Sequence, residues 1–333
     1  MGKVVYLIKR IKNMSYKGFF DTIDSESKKY HCNKPYLFFD IIRCGILYQA
    51  GYSDYKLFEM YKMNHKERKT IITRGKNNSL FKKFNNKDYI YIFNDKTVFN
   101  KKYNKYLNRD WLYLKDNFEE FEKFIKNKKE IIVKPINLFC GKGIEKIELD
   151  KVDPKELYEK LVKNEQLLVE EVAKQHRIID KIYPYSINTL RVVTLNHQVV
   201  NAFIRIGNLY NVVDNFNHGG LAAKVDIKTG EIISNAVDKK GDVYFSHPIT
   251  EEPINGVKLP MWDEVINLCI EASNVTKELG YVGWDVCIGK DKPFLIEANE
   301  FPGNDIYQLP AHRKDNYGDL PIFLQAAKDT SNK

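Results

Sequence analysis

The segment 281–299 constrains the fold most, because it consists of two apolar stretches joined by a polar turn that begins with glycine. If the turn centres on Asp291, Asp285 pairs directly opposite Glu297, since each lies six residues from the centre. Like charges opposite each other destabilise a sheet, so this pair calls for a cation. Asn299 points to the same face and adds a neutral oxygen. Two carboxylates and an amide oxygen suit Mg²⁺, whereas the ordinary alternative is a pair of solvated strand residues.

The length of 333 residues is about twice the ~150 residues of a usual domain, which predicts two domains or one large divided fold. The chain has 53 Lys and Arg against 44 Asp and Glu, a net charge of +9 that allows anionic partners without choosing among them. No run of about 18 apolar residues predicts a membrane-spanning helix, and residues 1–15 lack the apolar core of a signal peptide. Five scattered cysteines without a CxxC pair argue against a disulfide framework or zinc site and favour a reducing cytoplasm.

The spacing of apolar residues predicts an α+β fold with a mainly helical, basic N-terminal region over residues 1–90. In that region we expect helices at 36–49 and 55–66, and at 69–87 either a loop or a solvated face. The expected strands after it are 89–93, 130–134, 143–149, 166–172, 281–288 and 293–299. The expected helices are 95–106, 118–126, 154–163 and 261–279, with hairpin turns at 196–197 and 228–230.

A lysine ends the predicted strand 130–134, and a glycine-containing turn follows it. The stretch Gly141-Lys142-Gly143 has the composition of a loop whose backbone N–H groups cradle phosphates, with Lys134 beside it. It does not match the Walker pattern, because no Gly-Lys-Ser/Thr closes it. An ordinary tight turn is an equally good interpretation of this stretch alone.

Charged residues inside apolar strands mark three further places. Glu170 and Glu171 interrupt an apolar strand, where an acid either accepts from an adenine amino group or simply ends an exposed strand. Arg191 and Arg205 lie in apolar surroundings, and a buried arginine needs a phosphate, a carboxylate substrate or a structural acid as its partner. The loop 215–220 is polar, closes with glycines and leads to Lys224, but its lone histidine is more simply surface.

Taken in order, these segments resemble the ATP-grasp superfamily, and within it the sugar-transfer associated ATP-grasp proteins. The resemblance covers about residues 50–310 and rests on the ordered set rather than on one motif. The residues that carry it are Asn94-Asp95-Lys96, Val133-Lys134-Pro135 with the glycine loop, Leu168-Val169-Glu170-Glu171, Gln175-His176, Asn188-Thr189-Leu190-Arg191, Arg205-Ile206-Gly207, Asn215 to Gly220, and Gly283-Trp284-Asp285 through Glu297-Ala298-Asn299.

The resemblance implies an ATP-grasp domain over residues 91–333, in which two α+β subdomains grip ATP. A small lid subdomain would cover about 130–175 and a large subdomain with the metal site about 176–333. The implied ATP contacts are Lys96, Lys134, the lid residues Gly141, Lys142 and Gly143, the Glu170 side chain, the backbone of Glu171, Val172 and Ala173, and Gln175 or His176 near the ribose. The implied Mg²⁺ ligands are Asp285, Glu297 and Asn299.

The activity that the resemblance implies is ligation of a carboxylate to an amine through an acyl phosphate, in the assembly of a surface polysaccharide or another glycan. Arg191, Arg205 and Lys224 are the expected catalytic cations, because Gly283 stands where amide-forming relatives often carry an arginine. A kinase that phosphorylates a hydroxyl and a non-catalytic basic binding module are the two alternatives. We expect no nucleic-acid partner, and we leave open peripheral membrane contact, the oligomeric state and the identity of the carboxylate and the amine.

Overall fold

The computed structural model of the chain describes residues 14–115, 117–138, 141–211 and 213–329. The chain divides into two compact units, Met1–Lys83 with Gly303–Lys333, and Phe84–Pro302. This division by compactness groups the last residues with the N-terminal region. The predicted division at residue 90, and the lid and large subdomains beyond it, stay predictions.

The first unit is helical in its described residues. Its helices are α1 Tyr16–Tyr30, α2 Lys34–Tyr48, α3 Tyr52–Leu57, α4 His65–Thr70, α5 Arg74–Phe84 and a final helix Leu320–Ala326, with 3₁₀ turns at Met60–Lys62, Ile306–Gln308 and Pro310–His312. Side-chain caps begin two of these helices. The Ser15 hydroxyl accepts from the Gly18 N–H at 3.1 Å, and Asn64 with Glu67 forms a capping box at the start of α4.

One expectation in this region is wrong, and one open alternative is decided. The predicted helix 55–66 is broken, because Glu59 adopts a left-handed backbone with φ 51° and separates α3 from the 3₁₀ turn. Of the two interpretations of 69–87, a loop or a solvated face, the structure has the second: the segment contains helix α5, in which Lys82 and Lys83 are exposed while Asn77 and Leu80 are buried.

A buried ion pair joins α2 to α4 inside this unit. Arg68 donates to both carboxylate oxygens of Asp40 at 2.7 Å, and the Tyr55 hydroxyl donates to the same carboxylate at 2.8 Å. Arg68 also donates from Nε to the Met60 carbonyl at 2.9 Å. With both charged groups satisfied, the pair can stay inside a core that also contains Leu37 and further apolar side chains.

The second unit contains two antiparallel sheets. Its strands are β1 Trp111–Tyr113, β2 Glu130–Lys134, β3 Glu145–Glu148, β4 Leu168–Glu171, β5 Leu190–Leu195, β6 Gln198–Ile206, β7 Leu221–Val225, β8 Ala236–Val237, β9 Val243–Tyr244, β10 Tyr281–Ile288 and β11 Pro293–Asn299. The small sheet has the order β1-β4-β2-β3, and the large sheet β11-β10-β5-β6-β7-β8-β9. The α+β prediction is confirmed.

Helices cover these sheets. They are α6 Tyr91–Asn94, α7 Lys96–Lys102, α8 Phe118–Ile125, α9 Pro154–Lys163, α10 Arg177–Ile182 and α11 Trp262–Ser273, with 3₁₀ turns at Lys87–Tyr89, Asn104–Tyr106 and Phe216–His218. The predicted strand at 89–93 is wrong, because Ile92 and Phe93 are both buried in a short helix instead of alternating. Phe93 packs there against Trp284, with ring centroids 5.8 Å apart. The predicted helix 261–279 ends early, at Ser273.

Each sheet of this unit has its own apolar core. The large sheet packs around the fully buried Trp284, whose indole N–H donates to the Thr194 hydroxyl at 2.8 Å. The small sheet packs against α8 and α9 through Phe121, Leu157 and Leu161. In the described part of the chain, every helix is too short or too polar to cross a bilayer.

Candidate active site

A cavity of about 420 Å³ lies between the two sheets of the second unit. The predicted site residues on its wall are Lys134, Gly141, Glu170, Glu171, Val172, Ala173, Gln175, Arg205 and Glu297. A neighbouring cavity of about 10 Å³, enough for about one water molecule, is lined by Lys96 and Asn299. Lys134, Glu170 and Glu297 line both cavities, so the structure brings most of the predicted ATP and metal residues together.

The carboxylate of Glu170 is the most densely bonded group in this site. It accepts from Lys134 Nζ at 2.5 Å, from Arg109 Nε and Nη2 at 3.2 and 3.0 Å, and from the Asn100 amide at 3.1 Å. Burial alone would raise the pKa of Glu170, but Arg109 and Lys134 hold that pKa well below its ordinary value. Each oxygen of the Glu170 carboxylate already accepts two hydrogen bonds from protein groups. Recognition of an adenine amino group by this side chain stays a prediction.

Arg109 is a site residue that the sequence analysis missed. Besides Glu170 on the small sheet, its guanidinium donates to the carbonyls of Leu295 at 2.6 Å and Ile296 at 3.1 Å on β11 of the large sheet. A fifth N–H donates to the Leu107 carbonyl at 3.3 Å, so every donor of this buried side chain is used. A lone arginine ahead of a three-residue strand offers no sequence signal for such a role.

The predicted hairpin of β10 and β11 forms with the expected pairing. Asp285 lies opposite Glu297, and Gly283 opposite Asn299. The pairing depends on a β-bulge, because the register shifts by one residue between Asp285 and Val286. The bulge places Ile296 and Glu297 together on the cavity wall.

Two arginines hold the fully buried Asp285. Arg191, directly opposite on β5, donates from Nε to Oδ1 and from Nη2 to Oδ2 at 3.0 Å, and Arg205 Nη2 donates to Oδ2 at 2.9 Å. The space above Gly283 is taken by Arg191, whose Cδ would lie 3.0 Å from a Cβ at that position. Arg191 therefore fills the volume that a side chain at position 283 would need.

The two carboxylates titrate in opposite directions. Burial would raise the pKa of Asp285, but Arg191 and Arg205 lower it below the ordinary value. Burial, and then the charge of Asp285, raise the pKa of Glu297. The charges of Arg205, Lys96 and Lys134 oppose this rise in the pKa of Glu297 without reversing it.

The donor set of this pair fits Mg²⁺. Asp285 and Glu297 supply carboxylate oxygens from paired strand positions, and Glu297 and Asn299 both line the smaller cavity, where the Asn299 amide offers a neutral oxygen. Among the described residues, no three His, Cys, Asp or Glu side chains lie together as a metal cluster. The predicted set contains only two such acids and an amide, so it would have to be completed by waters or substrate oxygens.

Arg205 faces the larger cavity and belongs to a second buried cluster. It donates to the Thr189 hydroxyl at 3.0 and 2.7 Å, and its Nη2 lies 3.6 Å from Asp214 Oδ1. Asp214 also accepts from the Thr189 N–H at 2.8 Å, and burial raises its pKa despite Arg205. Asp214 lines the cavity and was missed, although it directly precedes the predicted polar loop.

Other predicted residues lie at the edge of the site or away from it. Lys96 donates from Nζ to the Leu138 carbonyl at 2.5 Å, and burial lowers its pKa. The Gln175 amide is tied to Asp180 and to two backbone carbonyls of the protein. Among the described residues, the following predicted positions do not line either cavity: Lys142, Gly143, His176, Arg191, Lys224 and Asp285.

His176 caps α10, accepting from the Ile178 N–H at 3.2 Å. Lys224 lies on β7, paired with Phe203 on β6, which in turn pairs with Arg191 on β5. Two strands therefore separate Lys224 from the strand of Asp285, a distance of about 14 Å between backbones at the usual strand spacing. Its catalytic role stays a prediction.

Similar folds occur among solved structures, at low identity. An ATP-grasp ligase PsnB, complexed with minimal precursor, Mg and ADP, is 13% identical over 75% of this chain and 62% of that chain, with a TM-score of 0.44. D-alanine–D-alanine ligase from Bacillus anthracis is 15% identical over 72% and 68%, with a TM-score of 0.43. D-cycloserine synthetase DcsG is 12% identical over 74% and 73%, also at 0.43. This chain thus spans less than two thirds of the length of PsnB.

Curated proteins returned no match to this chain. The model of the sugar-transfer associated ATP-grasp family matches residues 75–314, well over half of the sequence. That range includes both sheets and every predicted site residue. The match confirms the resemblance and the ATP-grasp fold. The chain belongs to the sugar-transfer associated ATP-grasp family.

Proposed function

We propose that the chain is an ATP- and Mg²⁺-dependent ligase that joins a carboxylate to an amine through an acyl phosphate. The observation that carries this proposal is the carboxylate pair Asp285 and Glu297 beside a cavity that also presents Lys134 and Arg205. Membership in an ATP-grasp family supports ATP as the phosphoryl donor. The description of the family as sugar-transfer associated supports an acceptor in glycan assembly, with the carboxylate or the amine on a sugar.

Such a reaction needs activation because a carboxylate is a poor electrophile for an amine. Lys134 and Lys96 would share the charge of the ATP phosphates, and the Glu170 carboxylate holds the Lys134 ammonium in position. Asp285, Glu297 and Asn299 would hold Mg²⁺, which when bound offsets charge on the transferring phosphoryl group. The glycine turn at Gly141–Gly143 and the backbone of 171–173 would cover the phosphates and the adenine.

Two arginines lie near Gly283, the position at which amide-forming relatives often carry an arginine. Gly283 offers no cation, but Arg191 fills the space above it and Arg205 reaches the cavity wall. Arg205 would steady the oxyanion that forms when the amine attacks the acyl phosphate. Phosphate would then leave, and the Asp214 carboxylate beside Arg205 would accept the proton that the amine loses. This arrangement favours a ligase over a kinase, because the kinase alternative rested on the lack of an arginine at position 283.

The test is ADP and phosphate release from ATP and Mg²⁺ with panels of carboxylates and amines. A ligase requires both acceptors together, whereas a kinase transfers the γ-phosphate stably to one acceptor. A folded protein that does not bind nucleotide in the presence of Mg²⁺ would leave only the binding-module alternative.

Glu297→Gln is the cleanest variant for this test, and we expect it to abolish turnover. Asp285→Asn should also abolish turnover, but it leaves Arg191 and Arg205 without their buried counter-charge and so endangers the fold. Asp291→Asn, at the exposed turn of the same hairpin, is the matched control and should keep full activity. Wild-type turnover in Glu297→Gln would sink the metal assignment.

A further inference from the structure

Helix α2 of the first unit is apolar on both sides. Its inward side buries Leu37, Ile41, Cys44 and Tyr48. Its outward side, here called the α2 apolar face, consists of Tyr36, Phe39, Ile42, Ile46 and Leu47, all exposed, with Phe39 at 68%. A helix that is apolar all round is normally covered by protein or lipid, so this face calls for an occupant.

A row of aromatic rings links the α2 apolar face to α1. Phe20, 54% exposed, contacts Phe19, Phe19 contacts Phe38, and Phe38 contacts Phe39, with ring centroids 5.3–5.6 Å apart. These four rings form an unbroken edge-to-face row between the two helices. Because Phe19 is buried, this row connects the exposed Phe20 and Phe39 through rings packed between the two helices.

The charges around this patch are mainly positive. The exposed charged residues of α2 are Lys34 and Arg43, while its one acid, Asp40, is buried against Arg68. Lys17, Lys28 and Lys29 of α1 are exposed as well. On α1, Asp21 and Asp24 are exposed, and Asp24 is paired with Lys34 at 2.6 Å.

We propose that the α2 apolar face docks on an anionic lipid surface. An exposed apolar helix side that carries Arg43 among its apolar residues and Lys34 in its first turn matches a helix lying in the membrane interface, with aromatic rings at headgroup level and cations toward anionic headgroups. A second copy is disfavoured, because a two-fold contact would bring Lys34 and Arg43 against the same cationic helix without an exposed acid on it. The proposal concerns the first unit alone and does not depend on the proposed activity.

Vesicle co-sedimentation of the full chain tests this docking, with phosphatidylcholine vesicles prepared with and without phosphatidylglycerol. We expect binding to the anionic vesicles that weakens with salt. The double variant Phe39→Ser/Ile46→Ser should lose about tenfold or more in partitioning, because two exposed apolar side chains no longer enter the lipid. Lys34→Gln and Arg43→Gln should each lose roughly fivefold on anionic vesicles only.

The matched control is Val243→Ser/Phe245→Ser, which removes two similarly exposed apolar side chains from the other unit and should leave binding unchanged. The proposal is overturned by a folded wild-type chain that stays in the supernatant with anionic vesicles, or by an equal loss in the control. It is also overturned if Phe39→Ser/Ile46→Ser converts a dimer to a monomer without changing vesicle binding, since a second copy would then be the occupant.

Discussion

Replacing Arg109 by methionine would remove the group that joins the small sheet to β11. In the native chain, its buried guanidinium gives two hydrogen bonds to Glu170 and two to the carbonyls of Leu295 and Ile296. Methionine keeps most of the volume but none of the donors. Glu170 would retain Lys134 and Asn100, while the two carbonyls ahead of Glu297 would lose this partner.

The expected loss follows from the burial of the pair. Both side chains are 3% exposed, and removing one partner of a buried ion pair costs about 3–5 kcal/mol in the free energy of unfolding. Arg109→Lys keeps the charge but cannot reach Glu170 and both carbonyls with one ammonium, so we expect a loss of about 1–3 kcal/mol. Without the hydrogen bonds of Arg109 between the small sheet and β11, Lys134 and Glu297 should also be displaced. We therefore expect kcat/KM for ATP to fall even under conditions where the variant is fully folded.

The assay is urea unfolding of a double-mutant cycle of Arg109→Met with Glu170→Gln, combined with steady-state kinetics. We expect a coupling energy of about 2 kcal/mol. The control cycle is Lys146→Met with Glu130→Gln, a partly exposed pair on the same sheet, whose coupling should stay below about 1 kcal/mol. A coupling for Arg109 and Glu170 no larger than the control, or unchanged kcat/KM in folded Arg109→Met, would refute the reasoning.

Three further outcomes are expected. Burial lowers the pKa of Lys76 to about 8, so the unfolded chain binds more protons above that pH; stability should rise with pH from about 8 to the ordinary lysine pKa, and Lys76→Met should flatten this rise in urea midpoints. Gly207→Ala should cost about 1–3 kcal/mol in thermal or urea unfolding, because its Cβ would lie 2.1 Å from Ser186 Oγ and 2.5 Å from Tyr183; an unchanged midpoint would contradict the packing. Arg109 and Lys134 lower the pKa of Glu170 against the effect of burial. The wild-type chain should therefore have a higher free energy of unfolding than Glu170→Gln above the pKa of an unfolded glutamate, and this difference should vanish as pH falls through the lowered pKa of the folded state. A difference that does not depend on pH would argue against the ion pair.

The local sequence pattern predicted an element correctly where signals within that element mark both of its ends. Glu130–Lys134, Pro154–Lys163, Tyr281–Ile288 and Pro293–Asn299 have the predicted bounds, because apolar spacing, a proline start or a polar turn marks each end. Local pattern failed at Tyr89 to Phe93, where a short helix that buries Ile92 and Phe93 replaces the predicted strand. The pairing of Asp285 with Glu297 in the β10–β11 hairpin was predicted correctly but for an incomplete reason, because a β-bulge next to Asp285 shifts the strand register by one residue.

The chemistry of the site divides in the same way. The residue types and their order along the chain were enough to predict the carboxylate pair, Lys134 and Glu170 as site residues, because each lies on a strand or hairpin that can be recognised from residues close together in the sequence. The partners of these charges were not predictable, since Arg109 lies 61 residues from Glu170, and Arg191 lies 94 residues from Asp285. Which cation meets which buried acid depends on strand order and burial, and an unpaired charge costs so much inside a protein that the folded sheet, and not the local sequence, selects the partner.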